Sequence, residues 1–168
     1  MRGMKILLAL LLCLPLAAHA AWLDFDHEFE QDKPWVEVAA HLPPYPKEQN
    51  LIPFNVSSAT NNKFFVDVQS ISVGNDKVVR YTVVVRAAGG ATNVSYEGIR
   101  CETAERRLYA YGHPDGSWSR ARDATWQGIR LRSLLSYRKA LYEDHFCPDG
   151  IAVRDAKTAV DSLRRGVR

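Results

Sequence analysis

Apolar and polar residues alternate along much of this chain, and the period of the alternation changes twice. From Lys63, Phe64, Val66 and Val68 fall on one side of an extended chain. After Gln69-Ser70 the apolar phase moves to Ile71 and Val73, a one-residue slip that predicts a β-bulge. Gly74-Asn75-Asp76-Lys77 reads as a turn. Val79, Tyr81, Val83 and Val85 then alternate with Arg80, Thr82 and Arg86, apart from Val84. Gly89-Gly90 marks the next turn. Thr92, Val94 and Tyr96 open a third strand that reaches Cys101, and Arg106 to Tyr111 forms a fourth. His113-Pro114-Asp115-Gly116 is a tight turn, and Ser117 to Arg120 returns as a fifth strand. Sequential strands joined by short turns predict an antiparallel meander.

The period then lengthens. Leu131, Leu134, Leu135, Arg138, Leu141, Tyr142 and His145 recur every three or four residues, which predicts an amphipathic helix ending near Phe146-Cys147-Pro148. Asp155 is placed to cap a last helix, with Ala156, Ala159, Val160 and Leu163 inward and Gly166 as its stop. The expected fold is therefore α+β: about five antiparallel strands over residues 63–120, packed against helices over about 131–165.

Upstream of the meander the chain is extended and acidic. Asp24, Asp26, Glu28, Glu30 and Asp32 alternate with Leu23, Phe25, His27 and Phe29, which reads as an arm laid over the domain. A metal strip around His27 is the weaker reading, because carboxylates spaced along a strand do not converge on one ion. Trp35-Val36-Glu37-Val38 suits a short strand. Leu42-Pro43-Pro44-Tyr45-Pro46 enforces a polyproline-like path, and Asn50 to Val56 continues extended. Residues 21–62 are thus expected as an extended, acidic and Pro-rich segment packed on the domain.

The first 20 residues follow another logic. Arg2 and Lys5 precede an apolar run from Ile6 to Leu16, and Ala18-His19-Ala20 is a small-x-small triplet. Charged start, short apolar centre and small-residue site are the parts of a signal peptide, with cleavage near Ala20/Ala21. The run is shorter than the roughly 20 residues of a membrane-spanning helix. No later segment has that length either, so no transmembrane segment is expected. Leu12 stands before Cys13, too bulky for a lipobox, so lipid anchoring is not expected and Cys13 leaves with the signal.

Export changes how the charges and cysteines read. Losing Arg2 and Lys5 takes the net charge from +3 to +1, and hides an asymmetry: −4 over residues 21–99 against +5 over 100–168. Either the halves pair and the remaining arginines are solvated, or the basic half meets an anionic envelope partner, such as lipopolysaccharide or phospholipid headgroups. Nucleic acid is not expected for an exported chain. Cys101 and Cys147 remain, and an even pair in an oxidising compartment predicts a disulfide. The rival is a thiol nucleophile served by His113 or His145.

Chemical motifs are sparse. The chain has no Gly-rich phosphate loop, Cys-x-x-Cys pair, haem-attachment motif, His-Glu-x-x-His helix or Gly-x-Ser-x-Gly elbow, so no cofactor or metal is implied. The remaining candidates are aromatic and polar groups on the expected sheet: Tyr96, Tyr109, Tyr111, His113, Trp118 and Arg120. They form either an aromatic core under the helices or, on an uncovered face, a partner surface. A catalytic reading needs His113, Asp115 and an arginine to meet in a concave pocket.

Several ordered stretches together resemble the cryptic neisserial protein family of small exported bacterial proteins. They are Glu28-Phe29-Glu30, Leu42-Pro43-Pro44-Tyr45-Pro46, Asn50-Leu51-Ile52-Pro53-Phe54, Phe64-Phe65-Val66-Asp67, Tyr96-Glu97-Gly98-Ile99-Arg100-Cys101, Arg106-Arg107-Leu108-Tyr109-Ala110-Tyr111-Gly112 and Leu141-Tyr142-Glu143-Asp144-His145-Phe146-Cys147-Pro148. The resemblance implies a periplasmic location in a Gram-negative bacterium. It carries no settled activity and assigns no catalytic residues. The expectation is a non-enzymatic envelope module whose partner is protein, lipid or peptidoglycan; the alternative is a hydrolase or other enzyme acting on a cell-wall or lipid substrate.

Overall fold

The computed structural model describes residues 34–166. The expected signal peptide and the acidic arm around His27 lie outside them.

The meander forms a sheet in chain order. Strands β1 (Leu51–Phe54), β2 (Lys63–Val73), β3 (Val78–Arg86), β4 (Thr92–Arg100), β5 (Glu105–Gly112) and β6 (Trp118–Arg120) are antiparallel neighbours, and β7 (Gln127–Gly128) also pairs with β5. The sequence pattern predicts five of these. It leaves out β1 because Pro53 argues against a central strand, and β1 is indeed an edge strand, where a missing N–H costs no ladder bond. The bulge expected after Ser70 appears as a register shift between Asp67 and Ser72. Ser70 Oγ donates to Asp67 O (2.7 Å) and accepts from Thr82 N (2.7 Å), so the hydroxyl occupies the gap that the slip opens in the ladder.

The long helix starts later than the spacing predicts. Residues 129–136 run through consecutive tight turns, closed by Ser133 N to Arg130 O and Ser136 N to Ser133 O. Helix α1 (Tyr137–Ala140) opens on Ser136, whose Oγ accepts from Lys139 N at 3.2 Å. Its continuation, Leu141–Phe146, widens into a π-turn closed by Cys147 N to Tyr142 O (2.9 Å). Successive turns bring residues three apart to one side much as a helix does, so the leucine spacing cannot tell the two apart. Exposure does: Leu134 is 70% and Leu135 56% exposed. Helix α2 (Ala156–Gly166) follows its predicted bounds. Asp155 Oδ1 accepts from Thr158 N at 2.8 Å, and that bond, with Thr158 Oγ1 and Arg154, lowers its pKa to about 2.

Two layers flank the sheet. On one face Phe54, Val66, Tyr81, Val83 and Ile99 pack against Leu141, Phe146, Ala159 and Leu163. On the other, Tyr96, Tyr109 and Ala110 pack under Ala40 and Leu42 of the extended segment, with Trp118 beside them. Strand β3 is consequently buried on both faces from Val78 to Val84, which explains why Val84 breaks its alternation. Cys101 and Cys147 are joined, with Cα atoms 5.4 Å apart, tying the end of β4 to the end of the π-turn.

His145 sets a pH limit on this layer. It is buried against Phe54 and α2, and burial lowers its pKa below the ordinary 6.5; nearby Asp144 and Ser162 oppose the shift, and Arg165 adds to it. A depressed histidine leaves the fold at full stability above about pH 6.5. Below that the unfolded chain gains a proton that the folded chain resists, so stability falls until the folded pKa is passed. His145→Gln is expected to flatten this limb in urea unfolding midpoints taken across that range. A wild-type midpoint that stays level relative to the variant as the pH drops contradicts the assignment.

Candidate functional site

The six sheet residues singled out by sequence separate into distinct environments. Tyr96 and Tyr109 are buried side by side on β4 and β5, with ring centroids 5.4 Å apart. Trp118 continues the row 6.5 Å from Tyr96, stacks with Tyr45 and donates its indole N–H to Pro43 O at 3.0 Å. Gly98 makes this packing possible: a Cβ there would stand 2.6 Å from Tyr109 Oη. These rings form a core beneath the extended strap, residues 35–46, on the face away from the helices. Tyr111 faces the other way and is 51% exposed. His113 sits on the exposed β5–β6 hairpin with Nε2 2.6 Å from Ser119 Oγ. Asp115 on the same turn faces Ser117, its Oδ1 accepting from Ser117 N and Oγ. Arg120 borders a depression at the strap edge together with His41 and Tyr109.

The strap is fastened by buried charges that sequence reasoning did not pick out. Glu37 accepts from Tyr109 Oη (2.7 Å), Trp126 Nε1 (3.1 Å) and Arg107 Nη1. Asp76 accepts both terminal nitrogens of Arg80 (3.2 and 2.6 Å) and the backbone N–H groups of Val38 and Val78. Arg80 Nη2 also donates to Val38 O at 2.7 Å, and Trp35 Nε1 to Asp76 O at 2.9 Å. Burial by itself would raise the Asp76 pKa, but Arg80 and the two backbone donors outweigh it and hold the carboxyl below its usual range. Burial, reinforced by the bond to Glu37, pushes the Tyr109 phenol well up. Part of the charge asymmetry is thereby consumed within the fold: Glu37 and Glu97 of the acidic half hold Arg107 and Arg138 of the basic half. The one legible signal was β3, whose near-continuous apolar run asks for cover on both faces and so makes Arg80, within that run, a buried arginine.

Trp35 and Arg100 open a cleft beside this network, of about 470 Å³, lined also by Lys77, Glu102, Tyr142 and Ile151. The Arg100 guanidinium lies 4.1 Å from the Trp35 ring centre and pairs with the exposed Glu102 at 3.1 Å. Its Nε is buried with no protein acceptor. Tyr142 Oη donates to Cys101 O at 3.1 Å, so the disulfide's end of β4 forms the inner wall. Ile151, 71% exposed, stands at the rim after Asp149 and Gly150, both at positive φ. The lining offers stacking, two cations (Lys77 and Arg100) and three carboxylates (Asp76, Glu102 and Asp149), and neither histidine nor serine is in it. Among the described residues no cluster of His, Cys, Asp and Glu could hold a metal ion. No helix among them is long and apolar enough to cross a membrane.

Compared with known proteins, residues 30–164 match the family model described as the CNP1-like family. No curated protein and no solved structure matches.

Proposed function

We propose that this chain, which belongs to the CNP1-like family, is a non-enzymatic binding or assembly module of the Gram-negative cell envelope, working in the periplasm. The observation that carries the reading is the Trp35–Arg100 cleft. An arginine stacked on an indole, with an aliphatic rim at Ile151, favours a flat group that can lie against the ring and the guanidinium. The disulfide, which suits an oxidising compartment, forms part of the wall and keeps the cleft in shape.

The test is recovery of the protein from periplasm, with and without crosslinker, as wild type and as Ile151→Asp. Ile151 is a surface residue, so this substitution leaves the core intact. A partner retained by the wild type and lost from the variant is expected. Monomer alone from both overturns the reading.

The alternative, a hydrolase of cell-wall or lipid substrates, is favoured by one contact, His113 Nε2 to Ser119 Oγ. That pair lies on an exposed hairpin, and Asp115 faces Ser117 instead of orienting the imidazole. Labelling of Ser119 by a fluorophosphonate would revive it.

A further inference from the structure

A second pocket, with no lining residue in common with the Trp35 cleft, opens where β5 and β7 meet the turns before α1. It has a volume of about 430 Å³, and Arg106, Arg130 and Arg138 all line it, with Ser133 and Leu135 at the turns and no carboxylate in the wall. Arg138 uses Nε and Nη2 on the buried Glu97, both at 2.7 Å, so its charge is matched from beneath. Arg106 gives Nη2 to the neutral Gln127 Oε1 at 2.6 Å. Among the described residues no carboxylate pairs with Arg106 or Arg130, which leaves the pocket with two uncompensated guanidinium groups. Guanidinium forks match the oxygens of phosphate better than any other side chain does.

The mouth of this pocket is apolar. Leu135 lines it and Leu134 follows the same turn outward, the two being 56% and 70% exposed. Leu134 borders a neighbouring depression beside Lys139, whose partner Glu143 lies 3.7 Å away and is balanced by it. Adjacent, more than half exposed leucines on a surface turn leave apolar area open to water. Set beside a carboxylate-free arginine pocket, they give the chemistry of a bilayer boundary: phosphate at one level and acyl chain just beneath it.

We propose that the pocket between β5, β7 and the turns at 129–136 binds the phosphate headgroup of an anionic phospholipid, while Leu134 and Leu135 enter the adjoining acyl layer. This deepens the envelope-module reading by naming lipid as one contact, and it uses a surface separate from the Trp35 cleft. The two can therefore fail independently: Ile151→Asp tests the cleft and leaves this pocket untouched.

The experiment is cosedimentation of the purified, disulfide-bonded protein with vesicles of phosphatidylcholine, with and without phosphatidylglycerol, at physiological salt. Binding is expected only where phosphatidylglycerol is present. Arg130→Gln and Arg106→Gln should each weaken it about fivefold, and Leu135→Ser about tenfold. Arg154→Gln, on an exposed arginine of another surface, should leave it unchanged. Arg130 and Leu135 are exposed, so these two variants decide the matter even if Arg106→Gln disturbs β5. Equal binding to neutral vesicles, no binding to either, or an equal loss with Arg154→Gln overturns the proposal. Saturable binding of inorganic phosphate without vesicle binding overturns the lipid assignment.

Discussion

Reduction of the Cys101–Cys147 bridge is expected to remove about 4 kcal/mol of stability, the chain-entropy value for closing a loop of this sequence separation, 46 residues. Against a typical total of about 5–15 kcal/mol, that leaves a marginal fold. Both sulfurs are buried, so the cost appears as a weakened global transition and not as fraying at a surface loop. With a urea slope of about 2 kcal/mol/M, the midpoint of Cys101→Ser/Cys147→Ser should fall by about 2 M. The cleft should suffer as well, because Cys101 forms part of its wall and Tyr142 is held to the Cys101 carbonyl. An unchanged midpoint in the double variant would show that the bridge constrains nothing the fold does not already fix.

Arg138→Met should cost about 3 kcal/mol, the lower end of the range for removing one partner of a buried ion pair. The lower end applies because Arg138 keeps some solvent contact, whereas Glu97 has none. Without the guanidinium, Glu97 retains only neutral donors: Tyr137 Oη and Ser95 Oγ on Oε1, and a long contact from Tyr81 Oη on Oε2. Burial, together with the same carboxylate, pushes the Tyr81 and Tyr137 phenols far above their ordinary range, so both stay neutral donors and neither supplies the positive charge that is lost. Adding Glu97→Gln should recover a large part of the loss, since the double variant buries no charge. A double-mutant cycle in unfolding free energy isolates the pair. If Arg138→Met costs as much in the Glu97→Gln background as in the wild type, the arginine acts by packing alone.

What could be read in advance follows from how locally each feature is determined. The irregularity in β2 shows in the sequence because β2 advances five residues from Asp67 to Ser72 while β3 advances two, and an odd excess shifts the side-chain phase of the same strand. The α2 cap shows because Asp155 and the Thr158 N–H that donates to it lie within one turn. The start of α1 does not show: Leu131, Leu134 and Leu135 satisfy a helical spacing, and only their exposure distinguishes a run of turns from a buried stripe. The site was less legible. Tyr96, Tyr109 and Trp118 read first as a core beneath helices and second as a bare partner face, and the structure instead places them under the strap. Nothing near Glu37 in the chain points to Arg107, Tyr109 and Trp126, which come from β5 and the segment after β6. Both candidate pockets have this character. The Trp35 cleft joins residues from the strap, the β2–β3 turn, the end of β4 and the loop before α2.

By itself the sequence determined the α+β class, the meander and its turns, the bulge, the last helix and the pairing of two cysteines. Each depends on side-chain period, turn chemistry or simple parity, all properties of neighbouring residues. Only the tertiary structure decided which face of the sheet the strap covers, which carboxylates the arginines neutralise and which arginines keep an open charge. Those outcomes depend on distances between segments far apart in the chain, which close approach sets and residue order leaves free.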